Sequence, residues 1–264
     1  MEYIKDFVSI SASISAFLAA LAAMLTVREI KRQREMSIQP DISLNAESAF
    51  QVNYCASDVA IPLAWNDLDG ISEPPSTDAK QIFPRSMRMP FYNVGLNTAK
   101  NLHIRFSYDI RDAVKLIEEL NKKHSLGISL KLNEDSFCIS AGNRREYMYG
   151  RSGIQMHSFL MGEAPNNQAS MYLPIEYTAC LEMLAYLYSK ESGYDSPRFD
   201  LHSEAPELTV EFTYSDISSK MYTTQYLLTP HLTKLAFEPD SNVGFEGSFT
   251  ARKLGVIYSK DGWK

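Results

Sequence analysis

The chain has 264 residues, 45% of them apolar and 22% charged, with a formal net charge of −6 and a pI near 5.5. This is ordinary globular composition, enough for an N-terminal segment plus one large or two small domains. The acidic balance excludes broad nucleic-acid binding, which needs many Lys and Arg contacts to phosphate.

The charge is uneven. Residues 1–36 hold five Lys/Arg against four Asp/Glu, about +1, which leaves about −7 for the rest. Cys55, Cys138 and Cys180 lie far apart, with neither a CxxC nor a disulfide-framework spacing. Isolated thiols in a domain of this size fit a reducing compartment.

A short tail, residues 1–6, precedes FVSISASISAFLAALAAMLTV, Phe7–Val27: 21 residues without a formal charge, four of them Ser and six Ala. A hydrocarbon core about 30 Å thick needs roughly 20 helical residues, so the stretch is long enough to span it. The start, MEYIKD, lacks the basic region of an export signal. Arg28, Lys31, Arg32 and Arg34 follow instead, and Lys/Arg excess marks the cytoplasmic flank. The sequence therefore predicts a single-pass anchor over 7–27, a basic linker over 28–40, and the body of the chain in the cytoplasm.

The span is sorted by size. Phe7, Ile10, Ile14, Phe17, Leu21 and Met24 recur at helical spacing; Ser9, Ser13, Ala16, Ala20 and Ala23 follow the same period on the other side. Small residues at that spacing let membrane helices approach closely, and serine hydroxyls bond across such contacts. The bland alternative is a weakly apolar anchor with an idle small face. A serine-lined path in an oligomer and a heptad seam in a soluble bundle are further readings, the last ranked lower because of the basic flank.

Met36 to Pro40 reads as an exit linker, with Pro40 ending helix. DISLNA and AFQVNY then read as strands, and Asn66 to Pro90, with four prolines, as a long surface loop. In FYNVGLNTAKNLHIRFSYDI, NVGLNTAKN supplies Asn and Gly for a turn with positive φ, and Leu102, Ile104, Phe106 and Tyr108 alternate with polar residues as in a half-buried strand. This stretch resembles the Asn-Val-Gly…Ala-x-Asn hairpin of immunoglobulin-like β-sandwiches in bacterial surface or membrane-anchored proteins. ELTVEFTYSDISSKMYTTQYLL resembles the paired strands of bacterial proteins with one N-terminal membrane helix and no assigned activity, with Ser218 or Ser219 where those carry Gly. The resemblance implies an anchored sandwich and no particular reaction.

Two helices interrupt the strands. The first spans about Arg111–His124, with Asp109 as its cap, Asp112 completing a capping box, Gly127 after its end, and a stripe of Leu116, Ile117 and Leu120. The second, IEYTACLEMLAYLYSK from about Ile175, is apolar on most sides and too short for a bilayer, so burial in the domain is favoured over a subunit interface. Leu208–Tyr214 alternates as a half-buried strand, SDISS turns into MYTTQYLL, and short strands follow near Gly244–Ala251 and Leu254–Tyr258.

No phosphate loop, GxGxxG, HExxH or GxSxG occurs. His103, His124, His157, His202 and His231 are scattered. NDLDG, Asn66–Gly70, fails the calcium-loop pattern because Trp65 and Ser76 stand at ligand positions; an Asp-Gly turn accounts for it. GNRREYMYGRSG is the most suggestive loop. Arg144, Arg145 and Arg151 beside Tyr147 and Tyr149 form a candidate site for a phosphorylated or nucleotide ligand, against the alternative of a solvated hairpin with Arg–Glu pairs.

The sequence thus leads to an α+β, mainly β fold: a transmembrane helix, then a β-sandwich-like domain over 41–264 with two inserted helices. The expected role is a non-catalytic binding or sensor domain at the bacterial inner membrane, associating as a homo-oligomer through its helix, with a protein or small phosphorylated ligand as partner. No metal or cofactor is expected. A membrane-perturbing effector of anti-phage defence and an enzyme without a recognisable motif are the alternatives.

Overall fold

A computed structural model describes residues 2–53, 64–67, 87–125, 128–133, 136–141, 146–150, 154–162, 168–192, 205–235 and 243–259. The first element, α1, is one helix from Glu2 to Ile38. It passes through Arg28, Lys31, Arg32 and Arg34, so the stretch expected as a linker is helical almost to its end. The reason is local. No Gly or Pro interrupts REIKRQREMSI, and Glu29 pairs with Arg32 at 3.9 Å and accepts a hydrogen bond from Gln33 Nε2 at 3.4 Å, both one turn away. Pro40 follows just beyond the end, where its missing N–H and ring forbid continuation.

Beyond α1 the chain is mainly β. A three-stranded antiparallel sheet has the order β1 (Ile42–Leu44), β4 (Arg88–Asn93), β10 (Gln168–Tyr172). A seven-stranded antiparallel sheet runs β3 (Ala64–Asp67), β2 (Glu47–Asn53), β13 (Val243–Ser259), β12 (Met221–Leu235), β11 (Leu208–Ser215), β5 (Ala99–Ser107), β9 (Gln155–Leu160). A third sheet is the meander β6 (Ile128–Leu132), β7 (Ser136–Ala141), β8 (Glu146–Gly150). Two helices, α2 (Arg111–His124) and α3 (Ile175–Ser192), pack on one another.

The core lies on one face of the seven-stranded sheet. Alternation along β11 buries Leu208, Val210, Phe212 and Tyr214, and β12 adds Tyr222, Thr224, Tyr226 and Leu228. The small sheet covers one part of this face: Phe91 on β4 meets Phe212 at 5.4 Å between ring centroids. Helix α3 covers another: Tyr177 meets Phe249 at 6.5 Å, and Phe249 packs on Phe50 at 5.1 Å. Truncating one such buried ring costs about 3–5 kcal/mol. Every residue of α3 from Glu176 to Leu187 is buried, which explains why that helix is apolar all round. The result is a sandwich-like pairing of a curled large sheet with a small sheet and a helical layer.

Several expectations need correction. Asn66 and Asp67 lie in β3, and Arg88 to Pro90 in β4, with Met87 buried just before it; residues 68–86 of the expected loop lie outside the described residues. The two short C-terminal strands are one strand, β13, that tracks β12 through two register shifts, so β12 also extends well past MYTTQYLL. Helix α2 has no side-chain cap: Ile110 is its N-cap residue, the Asp109 carboxylate accepts from the Arg111 backbone and guanidinium, and Asp112 pairs with Lys115 at 2.8 Å. At its other end Ser125 takes the left-handed conformation, φ 52°, while Gly127 lies outside the described residues. Of the expected stripe, Ile117 and Leu120 are buried and Leu116 is half-buried; Ala113 completes it.

The SDISS turn is organised by one carboxylate. Asp216 accepts from the Ser218 and Lys220 N–H groups at 2.8 and 2.9 Å and from the Tyr222 hydroxyl at 2.9 Å. Ser219 carries the left-handed backbone, φ 64°. Tyr222 stacks on Tyr214 at 5.6 Å, which ties the turn to the core.

NVGLNTAKN is not a hairpin turn. It carries the chain from β4 in the small sheet to β5 in the large one. Positive φ falls on Asn101, at 50°, inside β5. The glycine serves a different purpose, which the junction with α1 reveals.

Candidate functional site

Helix α1 is long and apolar enough to cross a membrane over Ser13–Arg34. None of the side chains in that segment is buried against the rest of the chain. Phe17 is 68% exposed and Met24 71%, with Ile14, Leu18, Leu21, Leu25 and Val27 similarly open. The exposed apolar side chains from Ile14 to Val27 form a larger patch than soluble monomers typically leave in water. The small-residue side, Ser13, Ala16, Ala20 and Ala23, is equally exposed, and Ser9 lies on the same helix. Thr26 donates its hydroxyl to the Ala22 carbonyl at 2.8 Å, which satisfies a polar group without water.

The segment that leaves α1 is locked into the sheet domain. The Oδ1 atom of Asn93 accepts from Asp41 N–H and Gly95 N–H, both at 3.1 Å. Its Nδ2 donates to the Asn97 and Leu160 carbonyls at 2.6 and 3.0 Å. A side-chain amide has two acceptor and two donor positions, and this buried one fills all of them. Val94 N–H donates to the Asp41 carbonyl at 2.8 Å, and β1 then pairs with β4 through Ile42↔Asn93. Tyr226 and Tyr214, from β12 and β11, donate to the carbonyls of Ile42 at 2.8 Å and Pro40 at 3.4 Å. Burial pushes the Tyr214 phenol up to about 12. Lys253 of β13 pairs with Asp41 at 2.7 Å.

This clasp explains the glycine of Asn-Val-Gly. A Cβ at Gly95 would sit 2.1 Å from the Gln39 carbonyl oxygen and 2.6 Å from Asp41 N. A Cβ at Gly162 would lie 2.1 Å from the Gly95 oxygen. Three backbone segments therefore meet where α1 ends, and only glycine fits between them. Sequence reading missed the clasp. Its one local signal was a Pro-Asp pair directly after a helix, and nothing in the sequence couples that pair to Asn93, 52 residues on.

The basic–aromatic candidate is placed only in part. Tyr147 and Tyr149 lie in β8, paired with Ile139 and Phe137 of β7; Arg144, Arg145 and Arg151 lie outside the described residues. Among the described residues no group of three His, Cys, Asp or Glu is placed to hold a metal. A buried group of titratable side chains, Glu176, Tyr177, Cys180 and Glu182, lies on α3. Tyr108 donates to Glu176, and burial, reinforced by Glu176 and Glu182, pushes the Cys180 thiol far up. A fully enclosed neutral thiol is no nucleophile, so this cluster is part of the helical packing. His103 lies half-buried on β5, and His157 on β9 packs edge-on against Phe91 at 5.3 Å.

The clasp carries a direct test. Asn93→Asp removes two donors and sets a carboxylate against the Asn97 and Leu160 carbonyls. Gly95→Ala drives a methyl into the Gln39 backbone. Each change should lower unfolding stability by about 3 kcal/mol, a fall of roughly 6–12 °C in melting temperature for a chain of this size. A shift below about 1 kcal/mol in both would show that the clasp contributes little. No family model matches this chain, and neither a curated protein nor a solved structure matches it.

Proposed function

We propose that this protein is a single-pass membrane protein whose sheet domain is a non-catalytic binding or sensing module held at the bacterial inner membrane by α1. The observation that carries the reading is the bare apolar surface of Ser13–Arg34, on a helix the rest of the chain leaves uncovered. Lys/Arg excess on its C-terminal flank sets the domain on the cytoplasmic side. Arg28, Lys31, Arg32 and Arg34 lie within the last three turns of the same helix, where their charges meet headgroups. The partner of the domain is a protein or a small phosphorylated ligand, the latter at Arg144, Arg145, Tyr147, Tyr149 and Arg151.

Carbonate extraction at high pH and thiol labelling of intact cells test this reading. Cys180 is fully buried and its thiol is held protonated, so Cys138, which is partly exposed, is the reporter in a Cys55→Ser chain. The chain should stay with the membrane, and Cys138 should react with a permeant maleimide but not with an impermeant one. Release into the soluble fraction refutes the anchor; labelling from outside reverses the orientation.

The small-residue side of α1 favours a second reading, in which copies associate through it and perturb the bilayer as an effector of anti-phage defence. Overproduction should then depolarise cells, and Ala16→Leu with Ala20→Leu should abolish the effect by blocking close approach. Depolarisation that survives the leucines, or none in the parent chain, rejects this reading and leaves α1 a passive anchor.

A further inference from the structure

We propose that the β9 edge of the seven-stranded sheet docks a second copy of this chain. Strand β9 is the last in its sheet, and among the described residues its partner strand is β5 alone. Residues 154–161, IQMHSFLM, contain no Lys, Arg, Asp, Glu or Pro. Soluble domains shield their edge strands with such residues, because an open ladder of N–H and C=O groups recruits other chains. At the opposite edge of the sheet β3 carries Asp67. His157 adds no charge: it packs against Phe91, and its burial favours the neutral ring.

The edge is also apolar and open. Met156 is 69% exposed, Phe159 62%, Met161 53% and Ile154 50%. The turn after β4 joins the same surface, because Gly162 lies against the Gly95 and Leu96 backbone; Val94 and Leu96 are 58% and 47% exposed. These six side chains present roughly 600 Å² of apolar surface, against about 800 Å² per partner in a standard interface. The β9 backbone on the side away from β5, which pairs with no other strand among the described residues, adds to this surface.

A second copy fits this surface better than a bilayer does. Helix α1 runs on from Arg28 to Ile38, about 16 Å at roughly 1.5 Å per residue. The headgroup layer is only about 5–7 Å deep on each side. With the membrane boundary at Arg28, as the proposed function has it, the far end of the helix, to which the patch is clasped, lies beyond that layer. An antiparallel strand paired with its own copy is isologous, needs no other protein, and here sets no like charges face to face.

Cross-linking in intact cells tests the proposal, wherever in the cell the chain resides. Antiparallel pairing centred on this strand brings the two Ser158 residues close to the two-fold axis. With Cys55 and Cys138 changed to Ser, Ser158→Cys should give a covalent dimer under copper–phenanthroline. Adding Met156→Lys and Phe159→Lys should cut its yield at least tenfold while the melting temperature holds, since both side chains are exposed. Ala16→Leu with Ala20→Leu should leave the yield unchanged, which separates this contact from helix association. Three results would each overturn the proposal: no covalent dimer, a dimer that persists with both lysines and disappears with the leucines, or strong quenching of Phe159→Trp by brominated lipid.

Discussion

One buried side-chain amide joins the two parts of this molecule. Asn93 gathers two N–H groups and two carbonyls from the segment leaving α1, its own turn, and the end of β9. Its neighbours multiply the constraint. Gly95 admits the Gln39 backbone, Tyr214 and Tyr226 reach back from the large sheet, and Lys253 holds Asp41. Each hydrogen bond adds only about 1 kcal/mol net, but losing the hub strands several buried groups at once. The clasp thus makes the end of α1 part of the sheet domain.

That constraint gives the helix a mechanical meaning. No Gly or Pro interrupts α1 between its apolar stretch and Ile38, and the clasp follows within three residues, at Pro40 and Asp41. On the proposed reading, the basic turns after Val27 hold the domain beyond the membrane-spanning part of α1.

Periodicity made much of this legible. The alternation of Leu208–Tyr214 and the all-round apolar α3 each stem from a local burial pattern and have the expected form, and the apolar stretch 7–27 lies within the helix α1. Other features depended on distant parts of the chain. The basic stretch after Val27 was read as a linker because charge marks a membrane boundary; charge does not stop a helix, and no breaker precedes Pro40. NVGLNTAKN reads as a turn because its Asn and Gly tolerate positive φ. Its Gly95 is required instead by a backbone from residues 39–41, which no local pattern reveals. Asp109 looked like a cap, yet the Arg111 guanidinium competes for the same carboxylate, holding it well below the usual range. The arginines of the basic–aromatic loop lie outside the described residues, so that site rests on sequence.

The account stands on the clasp, and amide hydrogen exchange of the full-length chain reads it directly. The Asp41 and Val94 N–H groups are its two long-range backbone donors. If the end of α1 belongs to the sheet domain, both exchange as slowly as the paired amides of β11 and β12. Exchange of both at open-chain rates, with β11 and β12 still protected, would show that helix and domain are joined only by a loose tether.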